Sequence, residues 1–145
     1  MGDDAARDRG PGIRADVIEP MDDAMVVVRG ISPDARPSWS DVTSAGIFRV
    51  EPDGRFDLHY HDCDEYWLIY RGRARVLSEG IEYDVGPGDI VCTQTGEEHD
   101  VLVVYEDLEA FFFEDALPAG GRTGHLHRTP EARAGHIVAT GDDTP

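Results

Sequence analysis

Leu58-His59-Tyr60-His61-Asp62-Cys63-Asp64-Glu65 is the stretch on which the reading of this chain turns. Alternate residues of an extended strand share a face, so His59 and His61 present two imidazoles to one side and can hold a single divalent ion between them. Glu65 keeps that parity and opens the apolar run EYWLIY, 65–70, so after a short bend it can return to the same ion with a hard anionic oxygen. The fourth ligand has to come from elsewhere in the fold. His99 is the candidate, because it follows the turn-rich TGEE, 95–98, and opens the run DVLVVY, 100–105.

Outward from this stretch, the apolar segments are short, β-branched or aromatic, and bounded by Gly, Pro or Asp. They are AMVVV (24–28), GIFRV (46–50), EYWLIY (65–70), RARVL (73–77), IVCT (90–93), DVLVVY (100–105) and EAFFF (109–113). No stretch sustains a 3.6-residue apolar spacing over a dozen positions. Closely spaced strands with turn signals between them predict an all-β sandwich or barrel and not alternating strand–helix units. Gly54, Gly72, Gly80, Gly86, Gly88 and Gly96 fall where strands are expected to reverse.

With 145 residues the chain has room for one core, and one site is expected. The opening MGDDAARDRGPG, residues 1–12, and the closing ATGDDTP, 139–145, carry little apolar surface to offset their ordering entropy. Both are expected to be flexible tails around a folded unit of 13–138. Thirteen basic against 30 acidic side chains leave a net charge of −17, which repels phosphate backbones and anionic lipid surfaces and so argues against nucleic-acid and membrane partners. Two cysteines and no charged-then-apolar leader make the reducing cytoplasm the expected compartment.

The spacing resembles the two motifs of the cupin superfamily. The first motif there runs HxH, three or four residues, Glu, six residues, Gly; here His59, His61, Glu65 and Gly72 stand at those positions. The second runs Pro-Gly-Asp, a hydrophobic strand, a glycine turn and His; here PGDIVCTQTGEEH, 87–99, follows it. The resemblance implies a single double-stranded β-helix (jelly-roll) barrel, one divalent metal (Fe, Mn, Ni, Co or Zn) on His59, His61, Glu65 and His99, and frequent homodimerisation through sheet edges. The chain departs from the pattern at Asp53, where the family commonly has glycine, at Gln94 in place of proline and at Val103 in place of asparagine, and these departures turn it away from the germin-like and seed-storage branches.

Three imidazoles and a carboxylate leave a divalent ion with a formal charge of +1 and, in octahedral geometry, two cis positions for a small-molecule substrate. The expected function is a metal-dependent enzyme acting on a small oxygenated metabolite, with isomerisation of a sugar or sugar acid foremost. Fe-dependent dioxygenation, lyase chemistry on a small organic acid, and non-catalytic binding of a sugar or organic acid are the alternatives. Trp67, in phase with Glu65, either faces the cavity and stacks on substrate or packs the core; Val101, in phase with His99, is expected in an apolar wall of the site. Arg49 is the arginine best placed to hold a substrate carboxylate. His125-Leu126-His127 repeats the HxH pattern, open to a second metal site, a reach into a partner's cleft, or plain solvation.

Overall fold

A computed structural model describes residues 27–142. In chain order the elements are β1 (Ser44–Val50), β2 (Arg55–Phe56), β3 (Glu65–Ser78), β4 (Ile81–Val85), β5 (Ile90–Thr93), β6 (His99–Glu114), the short helix α1 (Pro130–Ala134), β7 (His136–Ile137) and β8 (Ala139–Thr140). The antiparallel order β1-β6-β3-β4, with β5 also on β3 and β2 paired with β7, builds the all-β barrel that the segment pattern predicts.

Two long strands form its spine. EYWLIY and RARVL, read as separate strands, are one strand, β3, and DVLVVY and EAFFF are likewise one strand, β6. Gly72 explains the difference: it bends β3 instead of reversing it. Its φ is +81°, and a Cβ there would stand 1.9 Å from the Asp107 carbonyl oxygen, so only glycine fits the bulged crossing with β6. The bulge also resets parity. Before it Glu65, Trp67 and Ile69 are buried; after it Ala74, Val76 and Ser78 are, leaving Arg73 and Arg75 outside. The β3–β4 reversal takes two residues, Glu79 and Gly80, both at positive φ as the right-handed twist of a tight hairpin requires.

The core gathers Val76, Val101, Val104, Leu108 and Val138 around Trp67. On the outer face of the same sheet, Leu68, Tyr70, Ile90, Phe111 and Phe113 remain exposed. Helix α1 begins where Thr129 Oγ1 accepts the Ala132 N–H at 3.0 Å and Pro130 follows the cap. Composition assigns 139–145 to a tail, yet Ala139–Thr140 pair in parallel with Val103 and Val104 of β6. Backbone pairing needs no apolar side chain, and for that reason composition misses it. Of the run 24–28, residues 24–26 lie outside the described residues, as does the expected tail 1–12, and Val27 and Val28 belong to no strand. No helix among the described residues is long and apolar enough to cross a membrane.

Candidate metal centre

His59, His61, Glu65 and His99 come together inside the barrel, their ligand atoms all within 4.8 Å of one another. All four are buried, at 1%, 2%, 5% and 1% exposure respectively. His59 and His99 exchange backbone hydrogen bonds (3.2 and 2.9 Å), which fastens the first motif to the start of β6. The bend between His61 and Glu65 is held by Asp64, whose carboxylate accepts both the backbone N–H and the hydroxyl of Thr95 at 2.8 Å, and by the Gly96 N–H on the His61 carbonyl at 2.9 Å. Glu65 then starts β3 facing inward.

Hydrogen bonding fixes where each imidazole points. Nδ1 of His59 faces the Asp57 carbonyl at 2.6 Å, that of His61 the Gly124 carbonyl at 3.0 Å, and that of His99 the Glu97 carbonyl at 3.3 Å. A tautomer protonated at Nδ1 satisfies all three carbonyls and directs a bare Nε2 inward, the usual outer support of metal-ligating histidines. Nε2 of His61 and His99 is buried without a hydrogen bond. Glu65 Oε1 lies 2.8 Å from His99 Nε2 and 3.4 Å from His61 Nε2. Two donors at right angles around an ion about 2.1 Å away stand about 3.0 Å apart, so the four side chains fit a metal.

Burial lowers the proton affinity of His61, but Glu65 and Glu114 outweigh it and raise its pKa, so a proton and a metal compete for this ring. Burial raises the proton affinity of Glu65, but His61 and His99 more than offset this and hold its pKa at about 2. Burial, together with His99 and His125, presses His59 down to about 3, so its imidazole is neutral and available as a ligand. Trp67 donates its indole N–H to Glu65 Oε1 at 3.0 Å, fixing the carboxylate.

A cavity of about 130 Å³ opens beside the ligands, lined by Phe48, Phe56, His59, Glu65, Trp67, Phe112, Glu114 and His125. Trp67 therefore does face the cavity, and it also belongs to the core. Val101 does not line it: fully buried in the core, it packs away from the opening. Arg49 points outward. Phe48 and Val50 take the inner face of β1, and Arg49 pairs with Asp107 at 2.5 Å and Glu51 at 3.4 Å with half its side chain exposed. The expectation that it holds substrate is corrected by strand parity.

Residues that the motifs do not reveal complete the wall. Glu114, at the end of β6 and directly across from Glu65, is buried, its proton affinity raised by burial and then by the Glu65 charge. His125 and His127 both meet Asp57, whose Oδ2 is 2.9 Å from His125 Nδ1 and 2.6 Å from His127 Nε2. Glu114 stands an odd number of positions after His99, on the opposite face by simple alternation, and the irregularities along the β3–β6 pairing bring it inward. Cys63 is buried, and burial with the nearby Glu114 and Glu65 charges lifts its thiol to about 12, which leaves it protonated and unreactive.

Residues 46–114 match the family described as the cupin domain. Among curated proteins, the chain is 33% identical over 102 residues to a protein of Sinorhizobium fredii named as the uncharacterized protein y4oW, covering 60% of this chain and 47% of that one. The chain thus spans about half the length of the curated relative it matches. Among solved structures it is similar to the DMSP lyase DddQ of Ruegeria pomeroyi DSS-3, with a TM-score of 0.55 and 25% identity over 63% of this chain and 46% of that one. It is also similar to a predicted oxalate decarboxylase of Thermotoga maritima, with a TM-score of 0.47 and 23% identity over 53% of this chain and 69% of that one.

Proposed function

Because this chain belongs to the cupin superfamily, with its cupin domain at residues 46–114, we propose that it is a metal-dependent enzyme that removes a proton from a small oxygenated metabolite, as a lyase or an isomerase. The observation that carries this reading is the pair of buried, unbonded Nε2 atoms on His61 and His99 beside the Glu65 carboxylate. Leaving a buried polar atom unpaired costs about 1–3 kcal/mol, a cost that a cation shared by the four side chains would remove. His59, His61, Glu65 and His99 would hold a divalent ion, which would supply Lewis acidity toward a substrate carbonyl or carboxylate and make the adjacent C–H more acidic.

The chain's own residues do the remainder. Phe48, Phe56, Trp67 and Phe112 exclude water and enclose the carbon skeleton. Glu114 is the carboxylate on the cavity wall that is not needed as a ligand, and it takes the proton from carbon. In a lyase the C–H electron pair forms a double bond as a leaving group departs from the next carbon; in an isomerase the proton returns to a neighbouring atom. The aromatic lining favours a small organic acid or hydroxy-ketone over the more hydroxylated sugar or sugar acid. The likeness to a protein named as a DMSP lyase supports the lyase branch.

The test is solvent-hydrogen exchange. Metal-loaded protein in D2O is offered small hydroxy acids, acids with a β leaving group and hydroxy-ketones, with deuterium uptake followed by NMR. Uptake at the carbon next to the carbonyl, lost in Glu114→Gln with metal content unchanged, is expected. No uptake or turnover across the panel, or a Glu114→Gln variant as active as the parent, would overturn the reading.

A further inference from the structure

Residues 121–128, which put His125 on the cavity wall, lie outside the span that matches the cupin domain. Arg122 grips Asp62 with Nε and Nη2 on the two carboxylate oxygens, at 2.8 and 3.1 Å, and with its backbone N–H at 2.9 Å. Tyr60 and Leu126 exchange backbone hydrogen bonds of 2.9 and 3.0 Å. Arg128 donates to the Gly96 carbonyl at 2.6 Å and lies 5.2 Å over the Tyr60 ring. This strap brings the Gly124 carbonyl to His61 Nδ1 and lays the His125 ring flat on His59, with centroids 3.5 Å apart and planes 6° apart.

Asp57 is the joint between strap and centre. Its main-chain carbonyl receives His59 Nδ1 at 2.6 Å, while its carboxylate receives His125 at 2.9 and 3.1 Å and His127 at 2.6 Å. Asp57, His59 and His125 also bring ligand atoms within 4.8 Å, but His59 Nδ1 is already engaged with the Asp57 carbonyl. The grouping is therefore a hydrogen-bonded network and not a second metal site.

We propose that Asp57 is a positioning residue. Its carboxylate clamps the strap through His125 and His127, and the clamped strap fixes the rings of His59 and His61 in the orientation a metal needs. The inference rests on the reading that the four buried side chains hold a metal. Outer partners of this kind set affinity because a ligand ring free to turn must be ordered at the moment of binding.

Zinc affinity is measured by competition with a chelating dye on the full chain, alongside the thermal midpoint of metal-stripped protein. Asp57→Ala keeps the main-chain carbonyl and removes the clamp together with a carboxylate oxygen 3.5 Å from His59 Nδ1, and its zinc affinity is expected to fall about 10–100-fold with little change in the stripped midpoint. His127→Gln, which retains a donor, is expected to hold affinity better than His127→Ala. Should Asp57→Ala fail to fold, Arg122→Ala, at an exposed position, carries the test through faster zinc release. Unchanged affinity or release, a loss matched by an equal fall in the stripped midpoint, or His127→Gln no better than His127→Ala would each overturn the positioning role. If the parent protein binds no zinc or other divalent metal, the reading of the centre falls and this falls with it; if the parent binds and the variants bind equally well, only this falls.

Discussion

The chain carries the same pattern twice, His59-Tyr60-His61 and His125-Leu126-His127, and the two pairs meet with opposite results. In the first pair each Nδ1 faces a main-chain carbonyl, the rings are buried, and Nε2 of His61 is left to face a carboxylate it shares with His99. In the second pair both rings bond the single carboxylate of Asp57, and half of the His125 side chain stays exposed. Either kind of acceptor leaves the opposite nitrogen bare, and in His127 too Nδ1 is buried without a partner; the difference is that the first pair gathers with Glu65 and His99, all four of them buried, while His125 is half-exposed. Spacing is shared, and burial beside Glu65 and His99 separates a ligand pair from a supporting pair.

The comparison is broken most sharply by removing ligands. His61→Ala or Glu65→Ala is expected to lose most of the metal in elemental analysis, an effect above the roughly 100-fold ceiling for outer partners, whereas His125→Ala keeps one metal per chain at saturation. Full retention in either inner variant would end the distinction. Next in size is Trp67→Phe, which keeps the ring but removes the N–H on Glu65. A hydrogen bond to a charged group contributes about 1.5–3 kcal/mol, so metal affinity is expected to fall about tenfold or more in the same titration.

A third histidine on a carboxylate sharpens the contrast. His136 Nε2 lies 2.7 and 2.9 Å from the two oxygens of Asp100. Burial lowers the proton affinity of His136, but Asp100 outweighs it and the pKa is raised above its ordinary value. A histidine raised on folding contributes stability that is fully present below about pH 6.5 and is lost as pH rises through its folded value. Burial also raises Asp100, and an acid raised on folding loses stability in the same direction, from its unfolded value upward. His59, pressed down to about 3, gains stability as pH rises through its unfolded value and works against this, so the effect is read as a difference. From pH 6 to pH 8 the thermal midpoint of the metal-stripped parent is expected to fall relative to that of metal-stripped His136→Ala. An identical slope in the variant would assign the effect elsewhere. The smallest effect belongs to Arg49→Ala: its pairs are exposed and screened by solvent, so neither the thermal midpoint nor the metal content should move measurably.

Much of the centre is legible in the sequence because strand parity is local. His59 and His61 share a face whatever surrounds them, and Glu65 and His99 open strands whose apolar faces can only turn inward. Arg49 failed for the same local reason read one residue out of phase: Phe48 and Val50 claim the inner face of β1. Val101 shares its face with the core, but whether that part of the face meets the cavity depends on where β6 bends. Parity counting also stops at a bulge. Past Gly72 the inward set of β3 moves from odd to even positions, and the several irregularities along the β3–β6 pairing hide Glu114 from any count that starts at His99.

By itself, then, the sequence determined an all-β chain with three histidines and one glutamate in ligand phase, since alternation and turn chemistry act over a few residues. The tertiary structure alone decided that Glu114 enters the cavity and that a strap from 121–128 returns to brace the histidines. Those outcomes depend on contacts between residues some 60 positions apart, such as His61 with Gly124 and Asp57 with His127. No local periodicity encodes them, because closing so long a loop is decided by the packing of the whole barrel.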